Sequence, residues 1–209
     1  MKITKIQIIG NLVGLIPGIY LLYRVLSVNL SANPIQTATV FTGKTAIYAL
    51  LVSLFASPLS RLLKLRVFHQ IRKTAGIYGF YYALVHFLIF VWADYEFNLS
   101  WIIPELKQKT YLQLGLIGLF FLVPLAITSI ERIKKELGRT WKKVHSSIYI
   151  IVMIILLHVA LASKGDLINP AILIALYLLA MIMRLPFLKS VHINNPPPWF
   201  KKIDAFLTC

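Results

Sequence analysis

The sequence predicts an all-α integral membrane protein: a bundle of six transmembrane helices with both termini in the cytoplasm. Three observations carry that reading. The 209 residues are 58% hydrophobic and 14% charged, against about 45–50% and about 25% in soluble domains, and the mean hydropathy is +0.76. Six long apolar segments, about 6–27, 43–60, 74–93, 110–129, 145–163 and 168–187, each approach the roughly 20 residues that cross a bilayer as helix. With the N-terminus inside, only Arg24, Lys44, Lys107, Lys109 and Lys164 of the 22 Lys and Arg residues fall outside, which is the asymmetry of the positive-inside rule.

Each element has its own justification. The first segment opens like a signal peptide, but its apolar run is longer than a signal core and no small-x-small site follows, so a retained helix is expected. Segment two is the shortest and is expected to end near Ser57-Pro58. Segment three carries Gly76, Gly79 and His86, and a longer outer loop, Asp94 to Lys109, leads to segment four. Pro17 and Pro124 are expected to kink segments one and four. The basic run "ERIKKELGRTWKK" links segments four and five on the inner side, and a short outer turn with Gly165, Asp166 and Asn169 precedes segment six. The tail "INNPPPWFKKIDAFLTC" cannot continue as helix through its three prolines. Its "WFKKIDAFL" portion can lie along the membrane surface with Trp199, Phe200 and Phe206 dipping in. One membrane domain, 1–209, accounts for the length.

Some functions are excluded early. The formal net charge of +15 sits in inner loops, where insertion and anionic lipid headgroups explain it without nucleic acid. The single cysteine, Cys209, permits no intrachain disulfide. No repeat of solenoid period and no low-complexity run is evident.

Five histidines remain. His69 and His192 read as solvated loop residues. His86, His145 and His158 fall in or at the ends of membrane helices, where an ionisable group is costly and marks function or helix–helix hydrogen bonding. His86 lies twelve residues along segment three and His158 thirteen along segment five, or roughly 18 Å and 20 Å of rise in the same direction. Two imidazoles from different helices therefore reach one level in the outer half of the bilayer. Such a pair suits a low-spin electron-transfer haem. Zinc wants three or four ligands, and the absence of C-x-x-C-H makes any haem non-covalent, b-type. Gly79, seven residues before His86, faces the same way and leaves room for a flat macrocycle or for close helix approach. His145 and His158 are separated by about 20 Å in depth and about 140° in azimuth on an ideal helix. Either segment five is locally irregular or the two rings serve different faces.

The runs "RKTAGIYGFYYALVHFLIFVW", "LAITSIERIKKELGRTWKKVH" and "SIYIIVMIILLH", with "TGKTAIYALLVSLFASPLSRL" and "KTYLQLGLIGL", resemble the ferric-reductase-like transmembrane family over roughly 42–163. The resemblance is closest to the branch that serves periplasmic methionine sulfoxide reductases. It implies a six-helix b-type cytochrome of the bacterial inner membrane, with haem-ligand histidines at His86, His145 and His158 and one haem or two. It also implies FMN, a quinone or a cytoplasmic flavin reductase as electron donor, and a periplasmic molybdopterin sulfoxide reductase as acceptor. The wider family carries a second histidine on helix three; fourteen residues before His86 stands Arg72 instead. An always-protonated arginine cannot ligate iron. The inner site then has His145 alone, or His69 folded in, with Arg72 free to pair with a haem propionate.

Transmembrane electron transfer is therefore the leading expectation. A stand-alone ferric or cupric reductase shares the chemistry with a different output. A transporter or scaffold is the remaining class, and it is disfavoured because all seven acids (Asp94, Glu96, Glu105, Glu131, Glu136, Asp166 and Asp204) fall outside the apolar spans. The run "ERIKKELGRTWKK" suits a flavin phosphate or an acidic donor, or serves only to set topology.

Overall fold

The computed structural model describes residues 4–27, 31–163, 165–186 and 197–208; His192 and Cys209 lie outside them. Every regular element is helical: α1 (Lys5–Leu26), α2 (Pro34–Leu63), α3 (Val67–Leu88), α4 (Leu99–Gln108), α5 (Thr110–Ile127), α6 (Glu131–Leu137), α7 (Thr140–Ser146), α8 (Ile148–Ala162), α9 (Ile168–Ile182) and α10 (Pro198–Thr208). Among the described residues five stretches are long and apolar enough to cross a membrane: α1, α2, α3 with its extension to Asp94, α5, and α7–α8 taken as Thr140–Ala162. The sixth, α9, is apolar but has 15 residues, about 22 Å of helix. Apolar side chains such as Leu12, Ile16 and Ile19 of α1 and Phe120 of α5 stand exposed, as expected where the surrounding solvent is lipid.

Segment six ends at Ile182 rather than 187, and three further boundaries differ from expectation, each for a local reason. Segment two runs from Pro34 to Leu63, straight through Pro58. Proline has no N–H, so the Leu54 carbonyl one turn earlier loses its helical partner; the Arg184 guanidinium donates to that carbonyl instead. Segment three begins at Val67 rather than 74, so His69 sits in the first turn of α3, exposed, and the α2–α3 link shrinks to three residues with Lys64 at φ +54°. The 94–109 stretch is largely a helix, α4, whose N-terminus is capped by the Asn98 side chain accepting from the Ser100 N–H at 3.0 Å. Between α3 and α4 the chain widens into a π-helical turn, Ile89–Asp94. It then reverses at Glu96 and Phe97, both left-handed at φ +49° and +58°.

The chain divides into two compact units. The first holds Met1–Leu30, Tyr48–Tyr78 and Ala175–Cys209. There Asp204 of α10 accepts from the Val67 N–H at 2.8 Å, a carboxylate at the positive end of α3. Lys5 of α1 lies over the Phe206 ring at 3.7 Å, and Arg61 donates to the Met183 carbonyl. Along α10, Trp199, Ile203 and Phe206 are exposed while Phe200 is half-buried. The second unit, Ser31–Ile47 and Gly79–Ile174, is built around the packed pair α5 and α8, with Leu122, Leu125, Ile151, Val152 and Leu156 buried. It carries all three membrane histidines.

Candidate functional site

His86 of α3 and His158 of α8 meet inside the second unit, with ring centres 6.1 Å apart and planes at 77°. Each ring is fixed by a backbone carbonyl: His86 Nδ1 lies 2.8 Å from the Thr39 oxygen and His158 Nδ1 lies 2.7 Å from the Tyr111 oxygen. A carbonyl only accepts, so Nδ1 carries the proton in both rings, and the neutral imidazole keeps its lone pair on Nε2. That is the tautomer of a metal ligand held by an outer-shell carbonyl.

The two half-sites share one construction. Thr39 and Tyr111 are each followed four residues later by glycine, Gly43 and Gly115, whose N–H groups are the normal helical partners of those carbonyls. Each imidazole packs on that glycine. A Cβ at Gly43 would lie 3.0 Å from His86 Nδ1, and one at Gly115 would lie 2.9 Å from His158 Nδ1. Carbonyl, glycine and histidine recur at a constant offset of 72 residues (111 − 39, 115 − 43 and 158 − 86). Sequence reasoning singled out Gly79, which is buried on α3, and passed over Gly43 and Gly115. The shared offset was the available signal.

His145 lies on α7, at the other end of α5 from Tyr111. Its Nε2 is 3.0 Å from Thr128 Oγ1, and its ring stacks on Trp141 at 4.2 Å and 29°. The Trp141 indole N–H donates to the Thr128 carbonyl at 2.9 Å, and Lys134 Nζ lies 5.1 Å from the Trp141 ring. The helix breaks at Ser147, between α7 and α8. Of the two alternatives for segment five, local irregularity is the one observed, and both His145 and His158 find partners on α5 or its C-terminal cap. Arg72 belongs to the first unit, on α3, where its carbonyl accepts from Ser53 Oγ at 2.8 Å. Two residues before Tyr111, Lys109 pairs with Glu105, and that hydrogen bond holds its ammonium above the ordinary lysine range.

The pair fits a metal gripped from two sides. Ring centres 6.1 Å apart would leave room between the two imidazoles for one metal at nitrogen–metal distances of about 2.0–2.1 Å. Among the described residues no cluster of three or more His, Cys, Asp or Glu could hold a bare ion; a haem would bring its remaining ligands in its own macrocycle.

Residues 42–157 match the model of the ferric reductase like transmembrane component family. The chain belongs to that family. Named relatives within reach of it are the protein-methionine-sulfoxide reductase heme-binding subunits MsrQ of Brucella anthropi, 30% identical over 89% of this chain and 83% of theirs, and of Brucella ovis and Brucella canis, each 30% identical over 85% and 81%. The ferric-reductase-like match takes in Gly43, His86, Gly115 and His145 and stops one residue short of His158. The longer alignments extend over most of the chain.

Proposed function

We propose that this chain is a haem b-carrying membrane subunit of a methionine sulfoxide reductase system. In that role it passes electrons across the bacterial inner membrane to a periplasmic molybdopterin sulfoxide reductase (MsrP). The observation that carries the reading is the His86–His158 pair, 6.1 Å apart with both Nδ1 atoms tied to carbonyls. The names of the relatives point the same way. His86 and His158 would hold the iron on this reading, and a haem bound there would supply one-electron chemistry. The chain's own part is mechanical and electrostatic. Thr39 and Tyr111 keep Nε2 unprotonated and aimed, while the apolar helices exclude water. The whole chain, 1–209, acts as one membrane domain of six passes with both termini cytoplasmic.

His145 is assigned to the inner side, as ligand of a second haem or as the relay from the donor, a quinone or a cytoplasmic flavin reductase. Arg72 is assigned to a haem propionate, Gly79 to room for the macrocycle, and the basic α6–α7 segment to an FMN phosphate. The optical spectrum of the purified protein decides the main point. A reduced b-type spectrum lost in His86→Ala and His158→Ala is expected; a colourless, folded wild type would falsify the proposal. Reoxidation of the reduced protein by MsrP is expected to outpace reoxidation by ferric chelates, and the reverse order would make it a stand-alone metal reductase.

A further inference from the structure

We infer that Gly43 and Gly115 are positioning residues for the two imidazoles, each the one position on its helix where a side chain would push a histidine off its carbonyl. The inference rests on the haem reading above and goes beyond it, because neither glycine ligates anything. In an α-helix the carbonyl of residue i already accepts the N–H of residue i+4. A second donor arriving from a neighbouring helix must pass the side chains around that oxygen, and the Cβ of residue i+4 points back toward it; Thr42 Oγ1, from within the helix, also donates to the Thr39 oxygen at 3.0 Å. At Thr39 and Tyr111 that residue is glycine, and the imidazole occupies the space. The virtual Cβ contacts are 3.0 Å to Nδ1 and 3.1 Å to Cε1 of His86, and 2.9 Å and 3.0 Å to the same atoms of His158. These are Nδ1 and its neighbour, so the clash falls on the edge of the ring that makes the hydrogen bond.

The rings have little room to give way. Each is tethered through its own helix, and the other ring's centre lies 6.1 Å away. An alanine at either position therefore lengthens or breaks the Nδ1–carbonyl bond and turns Nε2 away from the shared axis. Loss of an outer-shell partner of a metal-ligating histidine typically costs 10–100-fold in affinity. Gly118 supplies the control. It lies on the same helix as Gly115 and faces the same α8, where its Cβ would meet Ile155 Cγ1 at 2.8 Å, a clash as severe that touches no histidine.

The test compares Gly43→Ala, Gly115→Ala and Gly118→Ala in the full-length haem-loaded protein by haem retention, midpoint potential and the low-spin spectrum. Helical content is followed by circular dichroism. The expected result is about tenfold or greater loss of haem retention with an altered low-spin signature in the first two, and a wild-type spectrum and potential in Gly118→Ala. Equal spectral change in all three makes the effect one of helix packing and overturns the inference. So does a wild-type potential in Gly43→Ala and Gly115→Ala. Should Gly115→Ala lose haem altogether, His158→Gly and Gly115→Ala/His158→Gly are each supplied with free imidazole. An untethered ring can shift away from the new methyl, so both should regain the low-spin spectrum alike; failure of the double variant alone means a collapsed pocket and rejects ring positioning. A wild type without haem would instead sink the underlying reading.

Discussion

Each membrane histidine in this chain has a specified polar partner, and the partners are of two kinds. His86 and His158 are bound to carbonyls, which no substitution of a side chain removes directly; only their glycines make them vulnerable. His145 is bound to the Thr128 hydroxyl, which a single change removes. Thr128→Val is expected to cost about 0.5–1.5 kcal/mol, the worth of one ordinary hydrogen bond, and to leave the spectrum assigned to the outer pair untouched. Thermal denaturation with the optical spectrum on the same sample checks both halves. His145→Ala should likewise slow electron delivery from the inner side more than it weakens the His86–His158 site, measured as reduction rate against haem retention. Equal losses would contradict the separation. The histidines were legible because ionisable groups are rare in apolar runs. Their glycines were harder to read, because a glycine in a membrane helix has many uses and the 72-residue offset shared with the histidines gains its meaning once the rings are seen lying on them.

At the scale of the element, α2 passes through Pro58 although proline signals a helix end. Proline is a sound helix-end signal when the orphaned carbonyl has only water to turn to. Here the orphan at Leu54 is taken by Arg184, more than a hundred residues away in sequence, so α2 continues. Arg184→Ala is expected to destabilise the protein by about 1–3 kcal/mol, the cost of an unsatisfied buried acceptor. The loss should be smaller in a Pro58→Ala background, where residue 58 regains its own N–H. A double-mutant cycle by denaturant titration reads the coupling, and strictly additive losses would refute it. The α4 helix escaped notice for a related reason: ten residues with an internal Pro104 look like loop, and only the Asn98 cap marks the start. At α9 the Asp166 carboxylate accepts from the Asn169 side-chain amide and from the Asn169 and Ile168 N–H groups. The Asn169 side chain is the first cause holding it below the usual carboxylate range. A depressed value means that its stabilising effect is present above the unfolded pKa of about 3.9 and fades as pH falls through the folded one. Amide exchange at 168–169 should therefore accelerate, relative to its intrinsic rate, as the solution is taken below about pH 4, and Asp166→Ala should abolish that step.

At the scale of the whole molecule, composition and charge asymmetry were enough to give an all-helical membrane protein, since both are sums over many residues that no single contact can overturn. The number of passes is a finer matter, because α9 has 15 residues and residues 187–196 lie outside those described. Cys209 offers a test that needs no substitution. A membrane-impermeant maleimide should label it in inside-out vesicles and not in intact spheroplasts, and the opposite pattern would reverse the proposed orientation. The constant offset of 72 residues between half-sites has a consequence for how such a protein is made. The His86 half-site leaves the ribosome first, and its counterpart follows only after 72 more residues, which at 5–20 residues per second takes about 4–14 s. A cofactor that needs both imidazoles cannot be clamped during that interval. On the proposed pair, pigment capture then cannot precede the synthesis of His158.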